Sequence, residues 1–157
     1  MRIEPLRAHR QYLGALAQAH VAAFGGLLPD WTVEQAQDEL AAHGATAMPA
    51  TWLALDASDW IGSVSLLVND DPRLDQVSPW LASLYVRPDG RARGVGAALV
   101  RHCVAQAAAL GVPRLHLYCQ DALVPYYARL GWAPLDRLPL GPLQVVVMAI
   151  ETGTADV

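Results

Sequence analysis

Cysteine, positive charge and long apolar runs are all scarce in this sequence, and each shortage excludes a class of protein. Only Cys103 and Cys119 occur among the 157 residues. Their spacing matches neither a metal site nor the disulfide framework of a small secreted domain. We therefore expect reduced thiols, a cytoplasmic location and no bound metal.

Positive charge is too sparse for a nucleic-acid-binding protein. The formal net charge is -4 at pH 7, whereas neutralising a phosphate backbone requires a broad excess of lysine and arginine. No uninterrupted apolar stretch reaches the ~18 residues of a membrane span. Near the N-terminus, the apolar core of a signal peptide is interrupted by Arg2, Glu4, Arg7 and Arg10.

The sequence does contain enough apolar side chains for a substantial core. Hydrophobic residues make up 54% of the chain and charged residues 17%, a balance that indicates a folded protein. The length, together with the lack of a long linker or an internal repeat, favours a single domain over residues 1–157.

Helical periodicity occurs in four segments of the sequence. The first covers 8–24 and is closed by Gly25 and Gly26, and the second begins after a cap at Asp30 or Thr32. The remaining two are predicted at 95–110 and 122–131.

Strand-forming runs alternate with these helices. They are predicted at 2–6, 51–57, 59–69, 80–86, 114–119 and 143–151. The pair on either side of Ser58 indicates a hairpin, whereas later strands are separated by helices. Such an order predicts an α/β (α+β) fold, in which helices pack on a mixed sheet.

Residues 86–100, VRPDGRARGVGAALV, join a strand to a helix through a turn with two closely spaced glycines. Gly94 and Gly96 lack Cβ atoms, so a ligand can approach the backbone closely. The start of the helix adds unpaired N–H groups and the positive end of its dipole. The turn therefore predicts a phosphate or pyrophosphate site, to which Arg91 or Arg93 would add charge.

Two nucleotide-binding motifs compete for this stretch. A Walker loop is excluded because no Lys-Ser/Thr pair stands at the required spacing. A dinucleotide fingerprint requires a third glycine where Leu99 stands, and a strand that runs almost directly into the first glycine. Because Asp121 lies near the expected position of a ribose-binding acid, a dinucleotide-binding oxidoreductase remains an alternative.

The stretch resembles motif A of the GNAT superfamily of acyl-CoA N-acyltransferases, Arg/Gln-x-x-Gly-x-Gly/Ala after a strand ending L-x-V-x-P. The matching residues are Leu84, Val86, Pro88, Arg91, Gly94 and Gly96. A second segment, ALVPYYARLGW at 122–132, resembles the superfamily's A-x-x-x-F-Y-x-x-x-G-F. The two motifs stand in the order found in the superfamily, separated by a predicted strand.

The resemblance implies a GNAT fold with a mixed sheet of about six or seven strands flanked by about four helices. It also implies acetyl-CoA as cosubstrate, with the pyrophosphate on main-chain N–H groups of Arg91, Ala92, Arg93, Gly94, Val95, Gly96 and Ala97. The pantetheine arm would pair with Leu84, Tyr85 and Val86 like an added strand. One of these N–H groups would face the thioester oxygen.

Further roles follow from the resemblance around the second motif. Tyr127 matches the residue that protonates the departing thiolate or holds its sulfur by a hydrogen bond. Cys119 stands where many relatives have an asparagine that touches the pantetheine, and Gln120 beside it would supply an equivalent amide. The strand glutamate that serves some relatives as general base falls near Trp80, which leaves as candidates Asp70, Asp71, Asp75 or a chain of water molecules.

We therefore predict an acetyl-CoA-dependent N-acetyltransferase in which a primary amine of a small molecule or peptide attacks the thioester directly. The sequence does not identify the acceptor, although its five tryptophans would suit an aromatic-lined pocket. A non-catalytic acyl-CoA-binding regulatory module is a second alternative, because the strand carboxylate is missing. The resemblance is also compatible with a homodimer.

Overall fold

The computed structural model describes residues 1–25, 30–44, 47–57, 59–69, 77–91 and 93–153. Its seven strands form one sheet and are β1 (Arg2–Pro5), β2 (Ala50–Asp56), β3 (Asp59–Leu67), β4 (Trp80–Val86), β5 (Arg114–Cys119), β6 (Ala133–Leu140) and β7 (Leu143–Glu151). Their spatial order is β1-β2-β3-β4-β5-β7-β6. Neighbours are antiparallel except for β4 and β5, which run parallel. The mixed sheet predicted from the sequence is confirmed.

The described residues form four α-helices, α1 (Leu13–Phe24), α2 (Val33–Ala41), α3 (Val95–Ala109) and α4 (Val124–Arg129). The first turn of α4 contains Pro125. Proline lacks an N–H, but N–H groups in the first turn of a helix have no intrahelical acceptor, so no hydrogen bond is lost. None of these helices is long and apolar enough to cross a membrane.

Local sequence explains the first two helices. In α1 the buried residues Leu13, Leu16, Ala17 and His20 recur at helical spacing and form one inward face. A capping box starts α2: Gln35 N–H donates to Thr32 Oγ1 at 3.1 Å, and Thr32 N–H donates to Gln35 Oε1 at 2.9 Å. Of the two predicted caps, Thr32 is therefore the one used.

The helices cover opposite faces of the sheet because alternate strand residues point in opposite directions. Leu53 and Leu55 of β2 pack with residues of α1 and α2, whereas Trp52 and Ala54 belong to the core beneath α3. At Gly62 of β3 an added Cβ would lie 2.8 Å from the Tyr85 carbonyl oxygen and 3.0 Å from Leu99 Cδ1. Glycine at this position therefore allows α3 to pack closely on the sheet.

One departure from the predicted elements lies near the N-terminus. The helix predicted over 8–24 begins only at Leu13, because short 3-10 turns occupy Leu6–Ala8 and Arg10–Tyr12. Gly25 follows α1 with a φ of -66°, so the helix ends without a left-handed residue at this position. The segment predicted as helix over 122–131 likewise begins as a 3-10 turn, Asp121–Leu123.

Candidate active site

A cavity opens at the end of β4, which runs parallel to its neighbour β5 in the described sheet. Trp80 and His116 form the register pair between β4 and β5, and no other pair joins the described residues of these strands. The cavity has a volume of about 400 Å³ and is lined by Ala23, Phe24, Leu84, Tyr85, Val86, Arg91, Gly96, Leu123, Tyr126 and Tyr127. Among these lining residues, Arg91 carries the only charged side chain.

The cavity side of β4 contains a bulge. The register with β3 shifts between Ser63 and Ser65, which pair with Tyr85 and Ala82. Between these partners, Ser83 has a φ of 53°, a left-handed conformation that is uncommon for a residue other than glycine. Ser83 and Leu84 therefore lie outside the described ladders to β3 and β5.

The glycine-rich turn places the start of α3 beside this bulge. Gly94 is the N-cap of α3 and adopts a φ of 77°, which a residue without Cβ does at little cost. The Ala98 N–H donates to the Gly94 carbonyl at 3.1 Å. The N–H groups of Val95, Gly96 and Ala97 come before this first intrahelical hydrogen bond. They are therefore available to donate hydrogen bonds to a bound anion.

The three arginines of the turn have different partners. Arg87 donates to Asp59 Oδ2 at 2.8 Å and lies over the Trp60 ring, and Arg93 donates to Asp56 Oδ2 at 2.8 Å. Arg91 donates through Nε to the Val86 carbonyl oxygen at 2.9 Å and lines the cavity. Arg91 is therefore the arginine of this turn that is placed to contact a ligand in the cavity.

Tyr127 also lines the cavity. Its buried ring packs against Tyr126 and Trp132. Burial raises the pKa of the Tyr127 phenol, and the nearby Cys119 and Tyr126 raise that pKa further. Burial also raises the pKa of the Cys119 thiol at the end of β5. The surroundings of Tyr127 thus disfavour both a phenolate and a thiolate.

His20 is a buried group near the cavity that the sequence alone does not single out. Its Nε2 lies 3.0 Å from Ser63 Oγ, and its ring contacts those of Phe24 and Tyr85, which both line the cavity. Burial, aided by His43, lowers the pKa of His20 to about 4, so the ring is neutral near pH 7. In the sequence, only helical periodicity indicates its place near the cavity, because His20 stands one helical turn before Phe24 on α1.

The structure brings most of the predicted site residues together. Leu84, Tyr85, Val86, Arg91, Gly96 and Tyr127 line the cavity, and Arg93, Gly94, Val95 and Ala97 belong to the adjoining turn and helix start. Gln120 follows β5 and is exposed, outside the lining. Ala92 and the candidate bases Asp70, Asp71 and Asp75 lie outside the described residues.

The dinucleotide-binding alternative can be compared with these positions. Asp121, the candidate ribose-binding acid, forms an ion pair with Arg137. Over the described ranges, no group of three or more His, Cys, Asp or Glu side chains is placed to hold a metal ion.

Comparison with protein-family models shows that the acetyltransferase (GNAT) family matches residues 13–132. No curated protein sequence matches the chain. Among solved structures, an aminoglycoside 6'-N-acetyltransferase complexed with coenzyme A superposes with a TM-score of 0.75 at 14% identity, covering 97% of each chain.

Two further structures show the same fold. A spermidine N-acetyltransferase chimera from Vibrio cholerae and hSSAT has a TM-score of 0.73 at 15% identity, with 97% of this chain and 95% of that chain covered. A GNAT-family acetyltransferase from Staphylococcus aureus has a TM-score of 0.69 at 14% identity, with coverage of 96% and 99%.

Proposed function

Because the chain belongs to the acetyltransferase (GNAT) family, we propose that it transfers an acetyl group from acetyl-CoA to a primary amine of a small molecule or peptide. Acetyl-CoA is the cosubstrate of this family, and the protein is an acyltransferase. One observation carries the choice of site: Arg91 and Gly96 of the first motif share a cavity with Tyr126 and Tyr127 of the second.

In this proposal the turn before α3 holds the pyrophosphate of acetyl-CoA. The N–H groups of residues 95–97 and the helix dipole supply donors and positive potential. The Arg91 guanidinium adds a full charge at the cavity wall. The pantetheine arm then lies along Leu84, Tyr85 and Val86, where the bulge keeps part of the main chain out of the ladders.

The acceptor nitrogen attacks the carbonyl carbon of the thioester. A C–N bond forms, the C–S bond breaks, and CoA departs as a thiolate while the nitrogen loses a proton. Protonation of the thiolate completes the reaction, so the products are an amide and free CoA. No protein nucleophile is needed, which is consistent with the raised pKa of both cysteine thiols, Cys103 and Cys119.

Tyr127 assists the departure of the thiolate. With reference pKa values of about 10 for a phenol and about 8.5 for a thiol, full proton transfer costs roughly 2 kcal/mol. Burial raises the pKa of Tyr127, but a thiolate formed in the same cavity is disfavoured as well. A neutral Tyr127 can therefore stabilise the developing sulfur charge by a hydrogen bond and pass its proton as the C–S bond breaks.

The cavity favours an acceptor with an apolar or aromatic body. Apart from Arg91, its lining consists of apolar and tyrosine side chains, and no carboxylate is among the lining residues of the described chain. Desolvation by such a lining lowers the pKa of an ammonium group. The amine therefore enters this site more readily as the free base, which is the form that attacks.

A panel assay tests the proposal. Purified protein is incubated with acetyl-CoA and each of tyramine, tryptamine, benzylamine, spermidine and kanamycin, and the released thiol and the acetylated amine are both measured. We expect turnover of at least one aromatic amine. Calorimetry with CoA and with NAD accompanies the assay, since tight NAD binding without CoA binding would identify a dinucleotide-binding protein instead.

A further inference from the structure

His20, Ser63 and the Ser83 carbonyl form a hydrogen-bonded chain behind the cavity wall. His20 Nε2 lies 3.0 Å from Ser63 Oγ, and Ser63 Oγ donates to the Ser83 carbonyl oxygen at 3.5 Å. His20 is 2% exposed and Ser63 is fully buried. When the neutral His20 ring carries its proton on Nε2, it donates to Ser63 Oγ and leaves the single proton of the Ser63 hydroxyl for the Ser83 carbonyl.

This chain fixes the orientation of one peptide group. The Ser83 carbonyl and the Leu84 N–H belong to the same trans peptide, so they point in opposite directions. Since the carbonyl is held toward Ser63 on β3, the N–H points away from β3. Leu84 lines the cavity and lies outside the described ladders to β3 and β5, so this N–H is directed to the ligand side of the strand.

We propose that His20 is a positioning residue: through the Ser63 hydroxyl, it orients the Ser83–Leu84 peptide so that Leu84 N–H donates to the thioester oxygen of acetyl-CoA. This inference rests on the proposed function. An N–H that is already oriented stabilises the negative charge that develops on this oxygen during attack. A carbonyl that accepts a hydrogen bond also makes the N–H of its peptide a stronger donor, because the bonds polarise one another.

The surroundings of His20 are suited to this role. Its ring packs against those of Phe24, at a centroid distance of 5.7 Å, and Tyr85, at 6.5 Å. The peptide that it orients follows Ser83, whose φ of 53° requires support from neighbouring groups. Tyr85 is also the cross-strand partner of Ser63, so the histidine, the serine and the bulge form one packed unit.

Carbonyl polarisation in bound [1-13C]acetyl-CoA tests the inference without an acceptor. In the wild-type protein, a hydrogen bond from Leu84 should shift the carbonyl 13C resonance downfield from its position in free acetyl-CoA. Ser63→Ala and His20→Leu should lose most of this shift, whereas His20→Gln, which keeps a donor at the end of its side chain, should retain more of it.

Ser65→Ala is the matched control. Ser65 lies two residues from Ser63 on the same face of β3, is 1% exposed, and hydrogen-bonds Thr51 Oγ1 at 2.7 Å instead of the bulge. This variant should keep the wild-type 13C shift. With the best acceptor of the panel, kcat should fall about tenfold in Ser63→Ala and stay near wild type in Ser65→Ala, because losing an oxyanion donor outright costs roughly 100-fold or more.

The outcomes separate this inference from the proposed function. If acetyl-CoA binds but its carbonyl resonance is unshifted, or if Ser63→Ala and Ser65→Ala behave alike, the positioning role is overturned while the acetyltransferase proposal stands. If calorimetry detects no binding of CoA or acetyl-CoA, the proposed function fails and this inference fails with it.

Discussion

The rings of Tyr126 and Tyr127 lie almost perpendicular to each other, at 83°, with their centroids 5.1 Å apart. This packing places the Tyr126 hydroxyl over the start of α3, where a Cβ added at Gly96 would come within 2.8 Å of Tyr126 Oη. The two sequence motifs therefore touch at this point. A side chain at residue 96 would disturb both the phosphate-binding turn and the aromatic wall.

Gly96→Ala should weaken CoA binding without unfolding the protein. Alanine favours a helix over glycine by about 1 kcal/mol, which offsets part of the cost of moving Tyr126. We expect the Kd for CoA, measured by calorimetry, to rise about tenfold, equivalent to roughly 1.4 kcal/mol.

The double variant Gly96→Ala/Tyr126→Phe is the control for that prediction. Removing the Tyr126 hydroxyl relieves the close contact, so affinity should recover if displacement of the tyrosine causes the loss. Affinity that stays low in the double variant would show that the added methyl group obstructs the ligand itself.

Gly94→Ala should destabilise the protein and also impair CoA binding. Its φ of 77° lies in the left-handed region, and an added Cβ would meet no atom within 4 Å, so the cost is backbone strain of about 1–2 kcal/mol. Gly111→Ala is a matched control, because Gly111 follows α3 with a φ of 81° and equally open space. Equilibrium urea unfolding should show similar losses for both variants, whereas calorimetry should show weaker CoA binding only for Gly94→Ala.

Tyr127→Phe should lower turnover and leave CoA binding nearly unchanged. The phenol is proposed to act on the departing sulfur, and loss of such a proton donor typically costs about 100-fold or more in rate. Steady-state kinetics with the best panel amine would give kcat, and calorimetry would give the Kd for CoA. An unchanged kcat would remove Tyr127 from the mechanism and leave it as a packing residue.

Acid should destabilise the fold through His20. Burial holds its pKa at about 4 in the folded protein, against an ordinary value of 6.5. Between these pH values the unfolded chain binds more protons, so stability falls as pH decreases from 6.5 toward 4. The effect of this one group is roughly 3 kcal/mol.

The measurement is the free energy of urea unfolding between pH 7 and pH 4.5. His20→Gln should reduce the pH dependence, while His102→Gln should preserve most of it, because partial burial shifts the pKa of His102 in the same direction without the tight enclosure of His20. Equal slopes for wild type and His20→Gln would exclude His20 as the titrating group.

Both cysteine thiols should react slowly in the native protein. Cys103 and Cys119 are buried, and burial raises the pKa of each thiol, which lowers the fraction of reactive thiolate. In a disulfide-exchange assay at pH 7.5, the native protein should give little colour over minutes, whereas the protein in denaturant should titrate fully. Rapid reaction of Cys119 in the native state would indicate that the wall near Tyr127 opens to solvent.

Strand positions were predictable from local sequence to a useful degree. The predicted segments 80–86, 114–119 and 143–151 coincide with β4, β5 and β7, because each is a short apolar run bounded by glycine, proline or charged residues. The two motifs likewise predicted that Arg91, Gly96 and Tyr127 would share one site, since they carry the local backbone chemistry of a turn and a helix.

Long-range pairings were not predictable in the same way. The bulge at Ser83 depends on how β4 registers against β3, and the contact of His20 with Ser63 joins residues 43 positions apart. The partners of Arg87 and Arg93 are aspartates 28 and 37 positions away. Neither periodicity nor motif spacing contains such tertiary information. The different hydrogen-bond partners of the three turn arginines could therefore be identified only from the folded structure.

The sparse pairing of β4 with β5 has a consequence for how the protein tolerates mutation. Strands β1–β4 and β5–β7 are joined in the sheet by one described register pair, so a coenzyme bound across that boundary would hold the two groups of strands together. Bound coenzyme would then stabilise the whole molecule, by an amount that rises with the logarithm of its concentration above Kd. Variants with a less stable β1–β4 or β5–β7 group should stay folded in cells that are rich in coenzyme. Their lower stability should become measurable once dialysis has removed the coenzyme.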